Sequence, residues 1–268
     1  MQRLGIINDF GVITNFIGKT LTIAELEARK LHHDYTELLT RAVQPALWLL
    51  IFGEVLAQIK AIPTGNLSYI DFMTPGILAQ SVLFISIFYG IAIIWERDLG
   101  IVHKFLATPT PRSALVFGKA LSAGERGLAQ AVIVYALALA LGVHLRWNVI
   151  SLLLVVVVII LGSALFSTFS LIIACLVKTR ERFMGIGQIL TMPLFFASNA
   201  IYPIAIMPRW LQVVSQVNPL TYETDALRAL MLSNGPTVYG VPFDLLFLVV
   251  ATAINVAIGA KLYPRVVI

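Results

Sequence analysis

Short polar segments divide this chain into six apolar stretches, and their lengths set the first expectation. Residues 147–177 run for 31 positions without an Asp, Glu, Lys or Arg. About 20 helical residues cross a hydrocarbon core, so this stretch can span a bilayer with tilt. It is too uniformly apolar for the amphipathic surface helix of a soluble domain. The other five are 42–59, interrupted by Glu54; 72–95, free of charge; 113–143, charged in its first half and apolar from Gly127 onward; 183–202; and 243–263, with Asp244 and Lys261 bracketing its centre. In lipid each backbone polar group must be satisfied within the segment, which predicts helices. The alternation of a barrel strand is absent from the pattern. The expected fold is all-α: a single polytopic domain over 1–268 with six transmembrane helices.

Two further segments are helical in pattern but too polar to span. Ala24, Ala28, Leu31, Tyr35, Leu38 and Ala42 recur at steps of three and four, while Glu25, Glu27, Arg29, Lys30 and His32 fall largely off that line. Residues 20–41 therefore read as an amphipathic helix, lying on the membrane surface or packed on a partner protein. In 203–241, Trp210, Val213, Val214 and Val217 share a helical face. Asn218 before Pro219 has the form of a helix cap followed by proline at the first helical position. A second short helix over 220–232 would complete an outer hairpin that dips into the membrane edge, with protein cover for its turn.

Composition agrees with this solvent assignment. The chain is 59% hydrophobic and 12% charged, against about 25% charged in soluble domains. Net charge is +5, but the basic residues sit in short loops rather than on one face, which argues against nucleic acid. With the N-terminus inside, fourteen of the 19 Lys and Arg fall in cytoplasmic segments and four (Lys60, Arg146, Arg209, Arg228) outside. That bias places both termini in the cytoplasm of a multi-pass protein of the inner (plasma) membrane. Asp9 and Lys19 interrupt the early apolar residues, unlike a cleaved signal. A single cysteine, Cys175, allows no intrachain disulfide.

Catalytic chemistry is not expected. Lys19 and Lys119 follow glycines, but Ile13 and Ser113 stand where the first glycine of a phosphate-binding loop belongs. There is no zinc-protease motif, and His32 and His33 are adjacent on a helix and point apart, so no metal site is assigned. The informative segment is 96–112. It opens with Glu96, Arg97 and Asp98, then forms a short amphipathic helix with Ile101, Phe105 and Leu106 on one side, ended by Pro109 and Pro111. It is either a solvated turn or a plug for a groove on a protein beneath the membrane. Glu54 with Gln58 one turn later marks either a pathway or a wet rim. Phe195, Phe196, Asn199 and Tyr202 offer either packing or contacts to an amphipathic cargo. Glu125 and Arg126 read as an interface-anchored pair or a link to the 96–112 loop.

At that loop the chain resembles a known family. Trp95-Glu96-Arg97-Asp98-Leu99-Gly100, Leu106-Ala107-Thr108-Pro109 and Gly118-Lys119-Ala120-Leu121 are similar to permease subunits of ABC type-2 exporters, closest to the branch of nodulation-factor and antibiotic exporters. Gln44-Pro45-Ala46-Leu47-Trp48, Met192-Pro193-Leu194-Phe195-Phe196, Pro208-Arg209-Trp210-Leu211, Asn218-Pro219-Leu220-Thr221-Tyr222 and Asp225-Ala226-Leu227-Arg228 fit in order, and the likeness covers 24–263. One departure is Glu223, where the family more often has an apolar residue or glycine.

The resemblance implies a permease powered by a separate cytoplasmic ATPase, two copies of each, with ATP and Mg bound by the ATPase and no cofactor in this chain. The cargo would be an amphipathic drug, lipid or glycolipid, exported through the membrane. Glu96, Arg97, Gly100, Ile101, Lys104, Phe105, Leu106 and Pro109 would form the coupling helix. Residues 20–41, with Leu31, Tyr35 and Leu38, would be the interface helix. The first and fifth spans would meet a second copy of the permease, and Trp210, Asn218, Pro219, Tyr222 and Glu223 would shape the exit. An ion-gradient-driven secondary transporter is the alternative, though no inverted repeat relates the two halves. A lipid-modifying enzyme lacks convergent catalytic groups.

Overall fold

A computed structural model describes residues 18, 20, 35–60, 62–65, 67–102, 112–177 and 179–263. These residues are helical nearly throughout. The first helical segment joins α1 (Tyr35–Leu47), a π-helical turn (Trp48–Gly53) and α2 (Glu54–Ile59) without a break. The π turn follows Pro45, which lies inside α1 and has no N–H to donate. Then come α3 (Tyr69–Asp98), α4 (Arg112–Ala140), α5 (Val149–Leu176), α6 (Arg180–Phe196), a 3-10 turn (Ile204–Ile206), α7 (Arg209–Val217), α8 (Pro219–Met231) and α9 (Val241–Leu262). Among the described residues the only β pairing is one antiparallel bridge, Leu145 with Leu232.

Side chains supply the helix starts that backbone alone leaves open. Ser68 Oγ accepts from the Asp71 N–H at 3.0 Å. Asn148 Oδ1 accepts from the Ile150 N–H at 2.9 Å, and Asn218 Oδ1 from the Leu220 N–H at 3.0 Å. The last is the expected cap, with Pro219 at the first helical position.

The long helices α3, α4 and α5 pack on one another, α9 closes against α5 and α4, and α8 fills the space bounded by α3, α5 and α9. One apolar cluster joins α3, α5 and α8 through Ile77, Leu83, Phe166 and Leu227. A second, around Ile94, Val116, Leu171, Phe183 and Tyr263, seals the end of the bundle from which the 96–112 loop leaves. Small residues let backbones approach where side chains cannot interdigitate. A Cβ on Gly76 would lie 2.4 Å from the Ala200 carbonyl oxygen, and one on Gly162 would lie 2.4 Å from Glu223 Cδ.

Four helical segments are long and apolar enough to cross a membrane: Ala42–Ile59, Tyr69–Asp98, Val149–Leu176 and Val241–Leu262. The third expected span, α4, has the length but carries Lys119, Glu125 and Arg126 in its first half. The fifth is shorter than expected. Its helix stops at Phe196: Ala197 leaves the helical backbone (ψ 10°), and Ser198 turns back to the Phe195 carbonyl through its N–H at 3.2 Å and its Oγ at 2.7 Å. At 1.5 Å per residue its 17 residues reach about 26 Å. Most of the amphipathic stretch at 20–41, Leu31 included, lies outside the described residues, while Tyr35 and Leu38 belong to a helix continuous with the first span.

Substituting Gly76→Ala is expected to destabilise the fold by about 1–3 kcal/mol, because the added methyl meets backbone that cannot yield. Gly185→Ala, with nothing within 4 Å of its Cβ position, should be neutral or stabilising. Thermal unfolding in detergent micelles separates the two.

Candidate functional site

At one end of the bundle the flanks of the 96–112 loop are pinned by charge. Glu96, near the end of α3, accepts from Lys119 Nζ of α4 at 2.6 Å, and both side chains are more than nine-tenths buried. They sit together because Gly100 and the loop reverse the chain, so α3 and α4 run side by side and bring positions 96 and 119 level. Asp98 joins Arg97 at 3.1 Å and Arg180 of α6 at 2.8 Å, in a more exposed arrangement. Arg180 also lies over the Trp95 ring, 4.2 Å from its centroid, and Arg97 Nη1 donates to the Val177 carbonyl at 3.4 Å. The charge cluster thus ties together the ends of three helices. Gly100 takes a left-handed conformation (φ 70°), and Ile101 and Val102 begin a further helical turn. Lys104, Phe105, Leu106 and Pro109 lie outside the described residues.

The second polar cluster is α8, the second helix of the expected outer hairpin. All twelve residues from Leu220 to Met231 are buried, so this helix is core, not edge. Successive polar residues point to different neighbours. Asp225 accepts from Thr237 Oγ1 (2.9 Å) and from the N–H groups of Val238 (2.8 Å) and Tyr239 (3.1 Å), fixing the turn into α9. Arg228 donates to the Asn199 carbonyl at 2.7 Å and the Phe72 carbonyl at 3.3 Å, with its guanidinium 3.9 Å over the Phe72 ring. The Asn199 amide lies between the Thr221 carbonyl and Arg228, 3.3 Å from each, with its oxygen toward the guanidinium. Burial lowers Arg228 to about 10, with Asp225 opposing the change, so it stays charged at neutral pH. Glu223 is different: it is fully buried against Gly162, and neither carboxyl oxygen has a hydrogen-bond partner among the described residues. Burial pushes its carboxyl well above the ordinary range. Ionised at the centre of a spanning helix it would cost about 2.5–3.5 kcal/mol or more.

The opposite end of the bundle holds a cleft of about 500 Å³ lined by Leu67, Ser68, Asp71, His144, Leu232, Ser233 and Asn234. Asp71 accepts from the His144 backbone N–H and faces its Nδ1, both at 3.2 Å. A smaller pocket of about 140 Å³, lined by Gln44, Ser81, Phe84, Phe88 and Gln130 among others, opens between α1, α3 and α4. These residues, with Asp244 (fully buried in the first turn of α9) and the Glu96–Lys119 pair, escaped the sequence reading. Lys119 carried the only signal, since it stands inside an otherwise spanning pattern.

The remaining candidates scatter. Glu54 is half-buried and Gln58 exposed on α2. Phe195 is buried and meets Trp48 edge-on at 5.5 Å, so it joins α6 to the first span within this chain. Phe196 is exposed, and the Tyr202 hydroxyl donates to its carbonyl. Asn199 serves Arg228. Asn218 reaches the Leu194 carbonyl at 2.7 Å while capping α8. Tyr222 stacks on Phe247 of α9 at 3.9 Å. Trp210 is 68% exposed on the apolar face of α7 with Val213, Val214 and Val217. Arg126 lies 4.4 Å over the Tyr89 ring and donates to Ser122 Oγ at 2.9 Å.

The two ion pairs at the loop end should differ sharply in strength. Lys119→Met leaves Glu96 buried without this cation and should cost about 3–5 kcal/mol, while Glu96→Leu with Lys119→Met should recover most of the loss. Arg180→Ala, in the exposed pair, should cost no more than about 1 kcal/mol. Unfolding of the three variants and the wild type in one detergent gives the comparison.

Comparison with known proteins places this architecture. Residues 19–232 match the family described as ABC-2 type transporter. The chain is 30% identical over 198 residues to a protein of Cyanophora paradoxa named transport permease ycf38, covering 72% of this chain and 67% of that one. It is 24% identical over 215 residues to the daunorubicin resistance ABC transporter permease protein DrrB1 of Streptomyces coeruleorubidus, covering 80% and 75%. It is 24% identical over 197 residues to the inner membrane transport permease YadH of Escherichia coli K12, covering 71% and 73%. With most of its length inside the family match, the chain belongs to the ABC-2 type transporter family, as a permease subunit of a transporter.

Proposed function

We propose that this permease exports an amphipathic molecule (a drug, lipid or glycolipid) across the inner membrane, driven by a separate ATPase docked on the 96–112 loop. The observation that carries the reading is the pinning of that loop's two flanks by the buried Glu96–Lys119 pair, with Asp98 bound to Arg97 and Arg180 beside it. A flexible loop would absorb a push from below. A loop whose ends are locked to α3, α4 and α6 transmits it into the bundle. The drug-resistance role in the name of the DrrB1 relative supports outward drug movement, and the fully apolar length of α5 supports a cargo that partitions into lipid.

In this reading the loop end faces the cytoplasm, the chain crosses the membrane six times, and both termini are cytoplasmic. Two permeases and two ATPases assemble, and ATP and Mg are bound by the ATPase alone. α7 descends from the outer surface and α8 returns, a re-entrant pair whose turn at Asn218 and Pro219 is covered by α6. Closure of the ATPases on ATP tilts the coupling helices, and α3 and α4 carry that movement toward the outer cleft beside Asp71. The chain supplies the pathway and no hydrolytic chemistry of its own.

The test is reconstitution in proteoliposomes with the candidate ATPase. ATP-dependent export of an amphipathic dye is expected, and Arg97→Glu with Phe105→Asp should lower it at least tenfold through loss of complex assembly. Unchanged assembly and export in the double variant would overturn the coupling assignment. Transport without ATPase, following an imposed ion gradient, would support a secondary transporter instead.

A further inference from the structure

Glu223 stands apart from every other buried charged residue of α8, because nothing in the fold answers it. Residues two and five positions further on project about 200° and 500° around a helix, so Asp225 and Arg228 face away from Glu223. Each is also committed elsewhere, Asp225 to the 237–239 turn and Arg228 to the Phe72 and Asn199 carbonyls. Glu223 instead faces α5 and meets the backbone at Gly162. Gly162 is the fourteenth of 28 residues in α5, so at 1.5 Å per residue it lies about 20 Å from either end. The carboxyl therefore sits at the mid-depth of the longest apolar helix, with zero exposure and both oxygens without a hydrogen-bond partner among the described residues.

The other titratable groups around α8 do not compensate it. α5 carries only Cys175, thirteen residues along from Gly162. α9 brings Asp244, a second buried carboxyl, and α3 brings Tyr69 and Asp71 near its start and Tyr89 and Glu96 toward its end. Tyr222 on the same helix is turned to Phe247. The cation of α4 nearest in sequence to the Gly127–Ser163 contact, Arg126, lies over Tyr89. With neither water nor a counter-charge at the carboxyl, desolvation favours its neutral form.

We propose that Glu223 is a proton-binding site of the transport cycle, protonated while α8 is closed on Gly162 and ionised when α8 separates from α5 and water reaches it. The step is a simple dissociation: the carboxyl O–H breaks, its electron pair stays on the carboxylate, and the proton passes to water in the opened pathway. Reclosure requires one proton to return. This rests on the exporter reading for its cycle, but the protonation itself is a property of the chain alone.

Two measurements decide it. First, infrared pH titration of the purified permease in lipid nanodiscs: the C=O band of buried protonated carboxyls should be present at neutral pH, with one component lost in Glu223→Gln and that same component retained in Asp244→Asn, which removes the other buried carboxyl. Because the folded carboxyl binds its proton more tightly than the unfolded one, the wild type should lose stability as pH rises above the ordinary carboxylate range. Glu223→Gln should not, so its melting temperature should pull ahead with pH. Absence of the band at neutral pH, or parallel melting curves, would overturn the site. Second, ATP-driven dye export by the complex: the wild type should change severalfold across neutral to alkaline pH, and Glu223→Gln should be flat. Identical profiles with the band present would reduce Glu223 to a neutral packing group and overturn its role in the cycle. Failure of all ATP-driven export would count against the exporter reading, while the infrared result still decides the proton site.

Discussion

A charge buried in a low-dielectric bundle must meet its counter-charge inside the protein, and the pairing of Glu96 with Lys119 at 2.6 Å is where this chain does so. The pair lies at the exit and return of the 96–112 loop, so two long helices cannot shift independently at that end. Around it the Arg97–Asp98–Arg180 group and the Arg180–Trp95 contact add the start of α6 to the same rigid unit. Remove the buried pair and the loop would hang from frayed helix ends. With it, the loop is a handle on the bundle.

The handle's motion has to go somewhere, and the packing of α8 says where. Its neighbours are α3, which carries Glu96, together with α5 and α9. Contact with α5 is closest at Gly162, where the glycine backbone admits Glu223, and is flanked by apolar side chains such as Phe166 and Leu227. Arg228 holds α8 to α3 through the Phe72 carbonyl and to the turn after α6 through the Asn199 carbonyl. Asp225 and Arg228 are satisfied by the 237–239 turn and by the Phe72 and Asn199 carbonyls, whereas the Glu223 carboxyl against α5 is not. The proposed opening of the α5–α8 contact builds on that difference.

Much of the architecture was legible in the apolar runs, because hydrocarbon length is a constraint on sequence as well as on structure. The runs at 72–95, 147–177 and 243–263 became long helices with bounds displaced by only a few residues, and Asn218 with Pro219 capped a helix as local chemistry dictates. The position of α8 was not legible. The pattern shows a short polar helix at 220–232, but the groups that meet Glu223, Asp225 and Arg228 (Gly162, the 237–239 turn and the Phe72 carbonyl) lie on other elements and emerge only in the packed bundle. The end of α6 at Phe196 was equally hidden, since turn hydrogen bonds rather than a change in hydropathy stop it. At the loop end Glu96 was visible as part of a charge cluster, but its partner 23 residues on emerges only when α3 and α4 lie together.

The account stands on the 96–112 loop being the point at which force enters, from the cytoplasmic side, through a docked ATPase. Replacing Lys104→Cys in a variant with Cys175→Ala, and labelling intact cells and inside-out vesicles with a membrane-impermeant maleimide, tests this directly. The predicted result is labelling only in the vesicles, with protection when the ATPase is bound. Labelling from outside intact cells would contradict the account.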